Sequence, residues 1–100
     1  MTLTPAQRRR LKSLAHHLEP LVQVGQKGIT ESLIGAVDEV LTNHELVKVR
    51  FMDFKDEKHA LSDQIVERTG AGLVGIIGNV LTIYRPSTVE EKRRIVLPGV

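Results

Sequence analysis

The chain has 100 residues, 41 % of them hydrophobic and 3 % aromatic, with a formal net charge of +2, which is enough for one domain around one modest core. No apolar run approaches the roughly 18–20 residues a membrane span needs, and the start Met1-Thr2-Leu3-Thr4-Pro5 lacks the basic-then-apolar order of a secretory signal. The absence of cysteine excludes disulfides and thiolate metal sites, fits a reducing compartment, and leads us to expect a cytoplasmic protein.

Thr4-Pro5-Ala6-Gln7 predicts a helix start. Thr4 can cap, Pro5 suits the first helical position, and Gln7 stands where a capping box needs it. Leu11, Leu14, Ala15 and Leu18 follow at helical spacing, and Pro20 is expected to stop the helix. Leu21-Val22-Gln23-Val24 reads as a short strand ended by Gly25. Thr30 is the next cap, flanked by Ile29 and Ile34 at the spacing of a hydrophobic staple. Leu33, Ile34, Val37, Val40 and Leu41 form the buried row of this second helix. Gly35 within it costs about 1 kcal/mol against alanine, which a close approach by another backbone would explain.

Leu46 to Met52 reads as a strand with Val47, Val49 and Phe51 on one face and Lys48 and Arg50 on the other. A connection from Asp53 leads to a third helix over about Asp56 to Thr69, with Leu61 and Ile65 inward and Gly70 as its stop. Leu73–Ile77 and Val80–Tyr84, separated by Gly78-Asn79, predict a tight hairpin. Strands alternating with helices favour a sheet with helices packed on it. Residues 1–86 would form this domain. Residues 87–100 are a polar, basic tail that either moves freely or docks Ile95-Val96-Leu97 as a short strand.

Charge is unevenly placed. Residues 1–28 hold five basic side chains against one acidic; residues 29–67 hold four against nine; residues 68–100 hold five against two. If the fold joins the two basic ends, one face is positive and can orient the molecule before a polyanion. Ordinary solvated faces would give the same counts.

Catalysis finds little support. His16 and His17 are adjacent on a helix and point about 100° apart. His59 and Asp63 share a helical face, yet they are two ligands where a catalytic zinc takes three from protein. No GxxxxGK[ST] phosphate loop is present. No metal, cofactor or small-molecule substrate is expected, and the protein should not be an enzyme.

Gly25-Gln26-Lys27-Gly28 carries more information. It links a strand to a capped helix, and its glycines let backbone approach a phosphate with no Cβ in the way. The helix start at Thr30 offers free N–H groups, and Lys27 adds a full charge. A GxxG loop that clamps a nucleic-acid backbone is the working part of KH domains. A turn glycine followed by a cap glycine is the plainer reading of the same four residues.

Five segments, taken in order, narrow the choice: Leu11-Lys12-Ser13-Leu14-Ala15-His16, Val22-Gln23-Val24-Gly25-Gln26-Lys27-Gly28-Ile29-Thr30, His44-Glu45-Leu46-Val47-Lys48-Val49-Arg50, Thr69-Gly70-Ala71, and Ile77-Gly78-Asn79-Val80-Leu81-Thr82-Ile83-Tyr84-Arg85-Pro86. In these the sequence resembles the YhbY-type family of stand-alone CRM domains (chloroplast RNA splicing and ribosome maturation). The resemblance covers nearly the whole domain; Asp53 to Asp63 is the stretch the family does not fix. It implies an α/β fold, a two-layer α-β-α-β-α-β-β domain with a four-stranded mixed sheet like the C-terminal domain of translation initiation factor three. It also implies RNA binding, association with ribosomal RNA of large-subunit precursors, and a GxxG loop at Gly25 to Gly28.

The expected contacts are Gly25, Gln26, Lys27, Gly28 and Thr30 at the loop, and Arg8, Arg9, Arg10 and Lys12 on the adjacent first helix. Lys48, Arg50 and Arg85 come second, since Lys48 and Arg50 can equally just cover the sheet. No contact is expected at Pro98-Gly99-Val100. Phe51 reads as core and Phe54 as exposed on a connection, so a platform stacking several bases lacks its parts. Recognition should lean on phosphates and shape, by a monomer without a membrane partner. The alternative is an interaction module that docks a basic ribosomal protein on its acidic middle third.

Overall fold

The computed structural model describes residues 1–99; Val100, the end of the tail, lies outside the described residues. The elements are α1 (Pro5–Ala15), β1 (Val22–Val24), α2 (Glu31–His44), β2 (Leu46–Phe51), α3 (Lys58–Thr69), β3 (Gly72–Ile77) and β4 (Val80–Tyr84), with single 3-10 turns at Lys55–Glu57 and Glu90–Lys92. No helix among the described residues is long and apolar enough to cross a membrane.

The predicted capping chemistry forms. The Thr4 hydroxyl accepts the Gln7 backbone N–H at 3.1 Å, and the Gln7 amide oxygen accepts the Thr4 N–H at 2.9 Å, so two otherwise unpaired donors at a helix start are satisfied reciprocally. Thr30 caps α2 by accepting from Leu33 N–H at 3.0 Å. Gly70 ends α3 in the left-handed region. In the hairpin Gly78 has positive φ and Asn79 does not, the pattern of a type II′ turn. The Lys58 ammonium donates to the Gly78 carbonyl at 2.5 Å and ties α3 to that turn.

The mixed sheet has the order β1-β2-β4-β3. β1 runs parallel to β2 through the α2 crossover, and the other two pairings are antiparallel. Side chains alternate as the strand period requires. Val47, Val49 and Phe51 of β2 join Leu81 and Ile83 of β4 and Val22 and Val24 of β1 beneath Val37, Leu41 and Ile65 of α2 and α3. This is the larger core.

The two-layer expectation describes α2 and α3 on that face. α1 lies on the opposite face, over β3, β2 and β4, and adds a partial third layer. There Leu3, Leu11 and Ala15 meet Leu46, Val74, Tyr84 and, from the tail, Leu97. A bulge between Leu73 and Gly75 breaks the alternation of β3, and Val74 is buried against α1.

Two helix boundaries differ from expectation. α1 ends at Ala15, not at Pro20, and Leu18 stays 40 % exposed. The residues after Ala15 must carry the chain to β1 at the sheet edge, and irregular backbone covers about twice the distance per residue of a helix. α3 starts at Lys58, because Phe54 takes a left-handed conformation and a 3-10 turn intervenes. Gly35 has no neighbour within 4 Å of its Cβ position, so no close approach explains it. The tail docks without forming a strand.

Candidate nucleic-acid interface

The loop after β1 is a tight turn. The Gly28 N–H donates to the Gly25 carbonyl at 3.0 Å, and Gly28 sits at φ +67°, where a residue with a Cβ is strained. Lys27 is exposed at the tip. The Thr30 hydroxyl caps α2 by accepting the Leu33 N–H, and the amides of Glu31 and Ser32 before it have no intrahelical partner. The loop lies at the rim of an open concavity of about 710 Å³ shared with Gln23, Ser32 and Ala36. The next connection is fastened alongside: Met52 and Asp53 both donate to the Val24 carbonyl, at 2.9 and 3.2 Å, and the Phe54 ring packs on Gly28.

The second group of cations lies on the sheet face that α1 only partly covers. Registration places Gly75, Thr82 and Lys48 in one cross-strand row and Ile77, Val80, Arg50 and Gln23 in the next. The Lys12 stem crosses Gly75 so closely that a Cβ there would lie 3.2 Å from its Cε. Lys12, Lys48 and Arg50 therefore share this face. Lys48 and Arg50 also line a shallow concavity with Glu19, Pro20 and Thr82. Among the described residues the ion pairs are Arg68–Glu31 and Arg85–Asp38, so Arg9, Arg10, Lys12, Lys27, Lys48 and Arg50 have no carboxylate in contact.

Two predicted contacts are otherwise engaged. Arg85 Nη1 donates to Asp38 Oδ1 at 2.6 Å and to the Thr69 carbonyl at 2.8 Å; Nη2 donates to the Asp38 carbonyl and the Thr42 hydroxyl, both at 3.0 Å. Its side chain is 13 % exposed. Arg85 joins the end of α3 to α2 through these four bonds. Arg8 is half-buried and donates to the Leu3 carbonyl at 2.6 Å, so Arg9 and Arg10 are the exposed members of its run.

The basic helix packs on β3, β2 and β4 rather than on β1, the strand that leads into the loop. β1 is one sheet edge and β3 the other. Three strand spacings, roughly 14 Å, separate the two edges. Lys48 and Arg50, on β2, lie between the two edges. Phe54 was legible as exposed, but its contact with Gly28 was not. Among the described residues no three of His, Asp and Glu converge as a metal site.

The family model for the CRS1/YhbY (CRM) domain matches residues 3–85. An RNA-binding protein of Haemophilus influenzae is 40 % identical over 98 residues, covering 97 % of this chain and 96 % of that one. A Bacillus subtilis protein named as a probable RNA-binding protein is 36 % identical over 97 residues, covering 96 % and 99 %. The solution structure of a Staphylococcus aureus protein, described as a candidate RNA binder, superposes with a TM-score of 0.79 at 39 % identity, covering 96 % of this chain and 99 % of that one.

Proposed function

The chain belongs to the CRS1/YhbY (CRM) domain family, and on that premise we propose that it is a non-enzymatic, monomeric, cytoplasmic RNA-binding protein acting on ribosomal RNA in large-subunit precursors during assembly. The observation that carries the reading is that Arg9, Arg10, Lys12, Lys27, Lys48 and Arg50 have no carboxylate in contact and that Lys12, Lys48 and Arg50 share one sheet face. A polyanion bound to them would release counterions at each contact. The small number of aromatic side chains supports contact mainly through phosphates.

The acidic middle third favours this over docking of a basic protein. Glu31 is paired with Arg68, Asp38 is paired with Arg85, and Glu45 is buried. Two of the acidic groups are thus neutralised by surface pairs, and a third lies inside the fold.

The test is gradient sedimentation of tagged protein from lysates. The parent should travel with large-subunit precursors, nuclease treatment should release it, and Lys48→Glu/Arg50→Glu should leave it at the top. Retention of the double variant on the particles would refute the sheet face as the contact.

A further inference from the structure

Phe54 combines three features that folding alone does not account for. It is one of two non-glycine residues with positive φ among the described residues, at φ 57° and ψ 37°. L side chains other than Asn and Asp rarely adopt this conformation, and a bulky ring there is an outlier. The residue is 40 % exposed. One edge of its ring rests on Gly28, with Cε2 at 3.4 Å and Cζ at 3.6 Å from the position of a Cβ.

The conformation is held firmly. Before it, the amides of Met52 and Asp53 share the Val24 carbonyl; after it, the Glu57 N–H donates to the Phe54 carbonyl at 3.0 Å. A glycine or asparagine would fit this backbone with less strain and expose less apolar surface. Backbone strain at a fixed, solvent-facing aromatic points to a ligand.

We infer that Phe54 is a stacking platform for one unpaired RNA base beside the backbone clamped by Gly25 to Gly28. This rests on the phosphate-binding reading of that loop. A nucleotide whose phosphate lies on the loop places a neighbouring base within reach of the ring. Single-stranded bases stack on aromatic faces, whereas paired bases are closed to them. Lys27 precedes Gly28 in the loop and Lys55 follows Phe54 in the chain, so each of the two segments that meet at the ring carries a cation for a phosphate. One such platform selects RNA with a bulge or loop over continuous duplex without reading a sequence.

The chain has no tryptophan, so Phe54→Trp gives a single reporter. It would be titrated with a hairpin RNA carrying an unpaired adenosine loop and with blunt duplex RNA of the same length, with anisotropy reporting binding. Emission should be quenched by the hairpin and hardly by the duplex. Phe54→Asn, which suits the left-handed backbone, should bind the hairpin about tenfold or more weakly and the duplex within twofold of the parent. Circular dichroism confirms folding of both variants. Unchanged Trp emission at saturating hairpin overturns the stacking role while leaving the loop reading intact. A parent that binds neither RNA overturns the loop reading and the stacking role together.

Discussion

The Glu45 carboxylate accepts the backbone N–H of Arg94 at 2.7 Å across 49 residues of chain. The same group accepts from Ser87 N–H at 2.8 Å and Ile95 N–H at 3.2 Å. Glu45 is 1 % exposed and sits at φ 65° between α2 and β2. The tail is thereby fastened at three amides, and Gln7 adds a fourth tie through the Pro98 carbonyl at 3.0 Å. Docking of Leu97 against Leu3 and Leu11 follows from these anchors.

Glu45→Ala should cost on the order of 3 kcal/mol, because one buried and two part-buried amides lose their acceptor at once. Glu45→Gln, which keeps one carbonyl oxygen, should cost less. Urea unfolding measures both, and hydrogen exchange should show faster exchange at Ser87, Arg94 and Ile95. Unaltered protection of those amides would mean that the tail is held by its apolar residues alone.

Arg85→Ala should destabilise the fold by about 2–3 kcal/mol, since it orphans the Thr69 carbonyl and uncouples Asp38. RNA affinity, measured where the variant is still folded, should stay within about twofold of the parent. A stable variant with a large loss of affinity would return Arg85 to the RNA surface.

The elements that repeat a local rule were legible in the sequence. Thr4 and Gln7, the alternation from Leu46 to Phe51 and the Gly78-Asn79 turn each depend on neighbours within a few residues. What places the candidate site is long-range. Lys48 and Arg50 lie inside the sheet because β2 has β1 and β4 on its two sides, and Lys12 crosses β3 at Gly75. Arg85 looks like any basic residue until α2 and α3 fold onto it. Nothing local to Glu45 marks it as the anchor of residues 87–95.

Binding to structured RNA should fall steeply with salt. If about four phosphates are neutralised, log K against log salt should have a slope near −3 to −4. Arg9→Glu/Arg10→Glu should flatten that slope and weaken binding by orders of magnitude, with a stability change of about 0.5 kcal/mol or less per exposed site. An unchanged slope in that variant would place the contacts away from α1.

Burial raises the Tyr84 pKa, the Glu45 carboxylate raises it further, and Arg93 opposes them. The folded state therefore holds the phenol proton to higher pH than the unfolded state. Below the ordinary value near 10 both states are protonated and this contribution to stability is complete; above it only the unfolded chain loses the proton, and stability falls as pH rises. Urea midpoints between pH 8 and 11 should decline more steeply for the parent than for Tyr84→Phe. Parallel curves would refute the link.

Gly28 separates backbone from charge at the loop. Gly28→Ala puts a Cβ at φ +67° and 3.4 Å from the Phe54 ring, at a cost of about 1 kcal/mol. Gly28→Asp meets the same ring but tolerates the left-handed backbone better, so its stability should match or exceed that of the alanine variant. RNA affinity should run in the opposite order. Alanine only crowds the approach to the loop, whereas aspartate sets a negative charge where a phosphate would meet the start of α2. Lys27→Ala, the removal of one phosphate partner, should lie between the parent and Gly28→Asp with a loss of about tenfold. Melting and circular dichroism establish that each variant is folded before sedimentation is compared. A folded Gly28→Asp protein that travels with large-subunit precursors as the parent does would reduce Gly25 to Gly28 to a turn, and the contact surface would then consist of α1 and the sheet face alone.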